Sequence, residues 1–402
     1  MTETPAPEAS DPFFETIPDS QWNACVGIQG DEQNYVDGYI EAALELAAAV
    51  LEKKLVASRD TLAMPILYNG RHALELSLKF AINRLHAMGA IASRHIPNHD
   101  ILSHWTHLRD ADVGDVTLRG LIAELEPFVR SLAKIDDDGQ ELRYATNQEG
   151  RKSLDGIAVV NLPHIRQSLQ AMSDILMRIK YRVFDLAEER GTGAYTKDCS
   201  REDLQIIADM LGHHATWTED SFKDKKAAVR EKFGLSSGKF SDAVTKIRQS
   251  RPLATRVGLE TPLTFLTDEK AVFALERWSI ANPPHDEDSD DLGADYFQRD
   301  REKVKDGRQV THELIDAIIA NLSDEEFVDL EVLFYMGRGR EFGEHYDKML
   351  ADTLAEHRIA KSRWEGVYHI MTKTSLLENV IAGAKAAGRP SLAAELRAIR
   401  PV

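Results

Sequence analysis

The stretch Leu67-Tyr68-Asn69-Gly70-Arg71-His72-Ala73-Leu74-Glu75-Leu76-Ser77-Leu78-Lys79 decides the fold. From Pro65 its apolar positions Leu67, Leu74, Leu78, Ile82 and Leu85 fall on one helical stripe, and Gly89 supplies the usual stop. Arg71, Glu75 and Lys79 stand four residues apart, so all three project from one face of that helix. Spacing alone predicts a solvated ladder of ion pairs, worth roughly 0.2–0.5 kcal/mol per pair. His72, one position around, faces either the same cleft or the core. After a break, Arg94-His95-Ile96-Pro97-Asn98-His99-Asp100-Ile101-Leu102-Ser103-His104-Trp105 leads into another helical pattern. Groups able to move protons or grip phosphate are concentrated between Leu67 and Asp110.

Working outward, helical periodicity continues. Val36, Ile40, Ala43, Leu44, Ala47, Val50, Leu51 and Leu55 share a stripe, and further helices are predicted over Asp100–Leu108, Leu118–Ala133 and Asn161–Glu189. Asp136-Asp137-Asp138-Gly139-Gln140 and the residues following it read as a turn-rich excursion or short hairpin. Ser200-x-x-Asp203 and Ser323-x-x-Glu326 are capping-box patterns, and Ser236 and Ser237 stand where caps are needed. Helices are expected over Phe222–Phe233, Lys239–Arg251, Glu325–Met336, Tyr346–Ala355 and Trp364–Ala386, with Gly337-Arg338-Gly339-Arg340 as a breaker. Asn282-Pro283-Pro284 followed by five carboxylates within Asp286–Asp291 reads as a linker, because prolines stop a helix and like charges oppose compaction. The expectation is an all-α chain: a partly disordered tail over 1–30, a helical bundle over 31–190, a basic helical extension over 191–281, the acidic linker over 282–310 and a C-terminal helical domain over 311–402.

Composition narrows the function classes. The chain has 402 residues with 43% hydrophobic and 29% charged content, as in ordinary globular proteins. No run of eighteen apolar residues occurs and Met1–Ser10 is polar, so neither a membrane span nor a secretory signal is expected, and a cytoplasmic location is. Cys25 and Cys199 lack partners for a disulfide framework or a thiolate zinc site and are expected to be reduced. A net charge of −17 opposes unspecific binding to nucleic acid. Yet between Ser221 and Arg256 ten basic residues (Lys223, Lys225, Lys226, Arg230, Lys232, Lys239, Lys246, Arg248, Arg251 and Arg256) meet only three acids. That segment is either an RNA-holding face or a solvated helical surface.

The pattern Arg71-His72-Ala73-Leu74-Glu75-Leu76-x-Leu78-Lys79, then Asn98-His99-Asp100-Ile101-Leu102-x-x-Trp105, resembles the second and third helices of the HEPN superfamily of bacterial helical bundles. Leu142-Arg143-Tyr144-Ala145 is similar to an Arg-Tyr-Pro segment of its larger members, with Ala145 in place of Pro, and Leu235-Ser236-Ser237-Gly238-Lys239-Phe240-Ser241-x-Ala243 is similar to a later segment. The likeness covers about residues 30–190, with a weaker extension to about 260. It implies a twofold homodimer and, in active members, a metal-independent ribonuclease marked by Arg, four to six residues, then His. Arg94-x4-His99 matches that mark. The implied roles are His99 as proton carrier, Arg94 as phosphate grip, and Arg71, His72, Glu75, Lys79 and Asp100 as residues that order the cleft. Lys223, Lys225, Lys226, Arg230, Lys239, Lys246, Arg248 and Arg251 would then hold RNA. A toxin or antiphage defence component, with a regulatory protein partner, is the implied setting. The region around Leu333-x-Tyr335-Met336-Gly337-Arg338-Gly339 resembles a small bacterial domain of unknown function.

Rival matches exist. Arg340-x4-His345 and Arg363-x5-His369 fit the same spacing. No cofactor is expected: phosphate-loop and nucleophile-elbow motifs are absent, and the adjacent His213 and His214 cannot share a helical face for a metal. The alternative to an RNase is a noncatalytic adaptor whose bundle dimerises or binds a partner protein, a nucleotide or RNA.

Overall fold

The computed structural model describes Phe13 and residues 20–146, 150–283, 301–359 and 362–400, the side chains of 301–306 excepted. Most of the expected disordered tail and the acidic stretch from Pro284 onward lie outside the described residues. Every regular element among those described is a helix, and the excursion after Asp136 contributes a single antiparallel bridge, Thr146 to Lys152.

The chain forms two compact units, Met1–Ala111 with Gly120–Val183, and Asp112–Arg119 with Phe184–Val402. In the first unit, α1 (Glu32–Glu52) begins at Asp31, whose carboxylate caps the backbone N–H groups of Gln33 and Asn34 while the Asn34 side chain reaches back. The short connection that follows returns the chain as α2 (Arg59–Ala87), which packs along α1. Helix α2 begins six residues before Pro65, which it accommodates in its second turn. It is buried nearly all round: Ile66, Leu74, Leu78, Phe80, Ile82 and Leu85 are all but inaccessible, and so are Arg71 and Glu75. This makes α2 the central helix of its unit, and the expected solvated ladder is corrected accordingly.

Helix α3 (Ile101–Asp110) carries Trp105, fully buried, whose indole N–H donates to the Ile122 carbonyl at 2.8 Å. The helix expected over Leu118–Ala133 divides into α4 (Val116–Glu124) and α5 (Glu126–Ile135), because Pro127 lacks an N–H and clashes with the preceding turn. Helix α6 (Leu162–Gly191) crosses α2 at Gly70, where an added Cβ would lie 2.4 Å from the Leu169 Cδ2. The first unit ends within this helix, eight residues before the Gly191-Thr192-Gly193 boundary expected from sequence.

The second unit has two cores. One is built on α7 (Arg201–Leu211), α8 (Ser221–Phe233), α9 (Ser237–Gln249) and α10 (Arg251–Arg256) around Leu204, Ile207, Val229, Phe240 and Ile247. The Ser200–Asp203 capping box starts α7 as read from sequence. The other core gathers α11 (Asp268–Ala281), α12 (Arg301–Asn321), α13 (Asp324–Gly339), α14 (Tyr346–Ile359), α15 (Arg363–Met371), α16 (Leu376–Ala386) and α17 (Pro390–Ile399). Leu263 through Trp278 belong to it, so the C-terminal helices share their core with residues on the near side of the acidic stretch. Charge runs report on solvation, not on which helices bury one another. The Ser323–Glu326 box is formed, α13 ends with Arg340 in the left-handed conformation, and Thr372–Ser375 divide the helix expected over Trp364–Ala386. Helices α13 and α16 touch backbone to backbone: a Cβ on Gly383 would lie 1.8 Å from the Leu333 carbonyl oxygen.

Among the described residues no helix is long and apolar enough to cross a membrane. Cys25 is exposed, and Cys199 is buried and unpaired, its thiol pushed up to about 12 by burial and then by the charge of Asp203.

Candidate functional site

Glu75 is the centre of the first unit's chemistry. One carboxylate oxygen accepts from Arg71 Nη1 at 2.5 Å; the other accepts from Lys79 Nζ at 2.6 Å and from His99 Nδ1 at 2.8 Å. His72 Nδ1 lies 3.9 Å away. Burial alone would raise the pKa of Glu75, but hydrogen bonds from His72, Lys79, Arg71 and His99 outweigh it and hold the carboxyl well below the usual range. The group is therefore a permanent anion at neutral pH.

Arg71 explains why that anion is tolerated. Its Nε donates to the Asp136 carbonyl at 3.0 Å, and its Nη2 donates to the Asp137 carbonyl at 2.7 Å and to the His99 carbonyl. One guanidinium thus ties α2 to the turn before α3 and to the loop after α5. Gly139, in the left-handed region at φ +80°, leaves room for it: a Cβ there would sit 3.2 Å from Arg71 Nη1. Asp136, itself buried, accepts the backbone N–H groups of Glu141 and Leu142 and closes the loop. Spacing could place Arg71, Glu75 and Lys79 on one face, but the residues that cover that face come from 28 and 66 positions away.

His99 is the exposed end of this network. Its side chain is 65% accessible while Glu75 beneath it is 2% accessible. A carboxylate can only accept, so Nδ1 carries a proton. Arg94 is not joined to this dyad. Its Nε donates to His86 Nδ1 at 3.3 Å, which leaves both terminal amino groups of an exposed guanidinium available. Asp100 is the N-cap of α3 and accepts Ser103 N–H at 2.9 Å. His72 sits edge-on to Tyr39 and stacks on Tyr68, with Arg143 over the other ring partner at 5.8 Å from the Tyr68 centroid.

Sequence reading passed over a histidine group beside the dyad. His95 Nδ1 bonds the Ile96 carbonyl at 2.7 Å and its Nε2 meets Ser103 Oγ at 2.6 Å. Its ring lies 4.4 Å from that of His104 and 5.1 Å from that of His107. His104 is buried, which lowers its pKa; Nε2 meets the Asn98 carbonyl and Nδ1 has no partner. The signal was density: six of the chain's 14 histidines fall between His72 and His107. Among the described residues no three His, Cys, Asp or Glu side chains converge as metal ligands.

Neither rival histidine bonds a buried carboxylate directly, although the mostly buried Glu331, which His357 meets at 2.7 Å, interacts electrostatically with His369. His345 lies 3.5 Å from the half-exposed Glu341, and His369 meets the Tyr335 hydroxyl at 3.2 Å. In the second unit the basic residues are dispersed among local tasks. Lys239 pairs with Asp198 at 2.6 Å and Arg251 with Asp347 at 3.3 Å; Lys225 donates to the Leu211 carbonyl and Arg230 to that of Leu235. Lys226 lies over the Phe240 ring, Lys246 lines a small pocket with Glu344, Lys223 pairs loosely with Asp220, and Arg248 is exposed. A cavity of about 790 Å3 lined by Val50, Leu51, Val56, Met64, Val159 and Pro163 holds none of the candidate site residues. Comparison with protein-family models, with curated proteins and with solved structures finds no match for this chain.

Proposed function

We propose that the chain is a metal-independent endoribonuclease of the HEPN kind, acting through His99. The observation that carries this reading is the Glu75–His99 dyad, a buried anion that fixes the tautomer of an exposed imidazole. In such a site the Nε2 of His99 takes the proton of an RNA 2'-hydroxyl as that oxygen attacks the adjacent phosphorus, and Glu75 stabilises the imidazolium that forms. The bond from phosphorus to the 5'-oxygen breaks, leaving a 2',3'-cyclic phosphate and, once the leaving oxygen takes a proton from water, a 5'-hydroxyl, while the His99 imidazolium returns its proton to solvent. The free terminal amino groups of Arg94 and the ammonium of Lys79 supply the positive charge that the phosphorane oxygens require. A twofold homodimer would bring two such motifs to one cleft. A cellular role as toxin or antiphage effector belongs to the same reading.

Single-stranded RNA incubated with the purified protein in a chelator tests it directly. Cutting with cyclic-phosphate ends is expected, and His99→Ala and Arg94→Ala are each expected to abolish it. Intact RNA, or cutting that survives both substitutions, overturns the proposal. A second reading rests on Arg71, whose bonds to three backbone carbonyls make the same cluster a staple for the bundle. In that case the bundle is a noncatalytic adaptor, and a folded dimer that leaves RNA intact would select it.

A further inference from the structure

Far from the dyad in sequence, α12 and α15 enclose a pocket of about 550 Å3 lined by Gly307, Arg308, Thr311, His312, Trp364 and Tyr368. Trp364 and Tyr368, four residues apart on α15, stack with ring centroids at 5.3 Å and planes 18° apart. His312 meets Trp364 edge-on at 5.2 Å. Trp364 is anchored against the C-terminal core, whereas Tyr368 remains 44% exposed. The space beside Gly307 is open, since a Cβ added there would meet nothing within 4 Å. Thr311 is already engaged with the Gly307 carbonyl at 2.9 Å.

We propose that this pocket binds a free nucleotide, its base on the Trp364–Tyr368 ledge and its phosphate on Arg308. Three features select that chemistry. Tyr368 stacks on Trp364 and is itself 44% exposed, so the ledge offers a braced aromatic ring on which a planar base can stack. A quaternary ammonium would also suit aromatic rings, but it would face the Arg308 guanidinium, and none of the six lining residues is acidic. Among the six lining residues Arg308 is the single arginine, which matches one phosphate group, whereas a nucleic acid strand draws its affinity from a run of cations. The site is independent of His99 and stands whether or not the chain cuts RNA.

Calorimetric titration of the full-length protein with AMP, adenosine and a hexa-adenylate strand tests the assignment. AMP is expected to bind, with affinity falling about tenfold in Arg308→Ala through loss of a charge-assisted contact and about tenfold in Tyr368→Ala through loss of stacking. Adenosine should be insensitive to Arg308→Ala and sensitive to Tyr368→Ala. In the unaltered protein labelled with 5-fluorotryptophan, AMP should move the Trp364 resonance, a readout that needs no variant to fold. The proposal is overturned if none of AMP, GMP, CMP and UMP binds at millimolar concentration, if AMP leaves that resonance in place, or if the strand displaces AMP at a tenfold lower concentration.

Discussion

Replacing Glu75 by Gln keeps the shape of the side chain and removes its charge, which separates the electrostatic role of the cluster from its packing. Three charge-assisted bonds at 2.5, 2.6 and 2.8 Å are affected. Their contributions differ with exposure. Arg71 is 1% accessible and would keep only the buried Asp136 carboxylate, 3.8 Å from its Nε, as a counter-charge, so the loss is at most about 3–5 kcal/mol. Lys79 at 29% and His99 at 65% accessible retain solvent, and each pair adds at most about 1 kcal/mol. The amide nitrogen of Gln brings a second donor against the guanidinium, so little is recovered. Against a typical total of about 5–15 kcal/mol, this loss is a substantial share of the first unit's stability. Urea unfolding followed by 19F NMR of 5-fluorotryptophan at Trp105, which is fully buried in that unit, reads the loss. The difference should narrow in acid: the folded-state pKa lies below the ordinary 4.5, so the stabilisation is complete above that value and is lost as pH falls beneath it. A loss under about 1 kcal/mol at pH 7 would refute a desolvated Arg71–Glu75 pair.

Two further perturbations act on the second unit. Gly383→Ala drives a Cβ to 1.8 Å from the Leu333 carbonyl oxygen, forcing α13 and α16 apart, and should cost about 1–3 kcal/mol or more in thermal unfolding. Asp203 is fully buried, and burial, followed by the charge of Asp115, pushes its carboxyl up to about 7. A raised folded-state value stabilises fully below the unfolded one and is lost as pH rises through it, so this unit should weaken between about pH 4 and pH 7. Asp203→Asn should flatten that slope in a pH series of unfolding midpoints, and an unchanged slope would count against the assignment.

Local signals were legible in the sequence and long-range ones were not. Ser200, Ser236 and Ser323 announced helix starts through chemistry confined to one turn, and each caps as read. The breaks were harder: Pro127 and Thr372–Ser375 lie inside continuous apolar periodicity, where tertiary packing decides whether one helix or two form. At the site, the four-residue spacing of Arg71, Glu75 and Lys79 gave a shared face but not its burial, because Asp136, Asp137 and His99 cover it from distant positions. The Arg94–His99 spacing did not reveal that Arg94 turns to His86 while His99 turns to Glu75. The aromatic pocket was beyond sequence reading, since His312 and Trp364 meet only after α12 and α15 pack.

Arg71 also bears on how the first unit folds. Its bonds to the His99 and Asp137 carbonyls close loops of 28 and 66 residues, so they are among the last contacts whose entropy cost is recovered. Until they close, the imidazole has no fixed partner. Once they close, the His99 turn cannot fray without withdrawing hydrogen bonds from two other segments, so its backbone amides, Ile101 on Asp137 included, should exchange with solvent only through the opening of the unit as a whole. An exposed histidine is thereby given the exchange behaviour of a core helix.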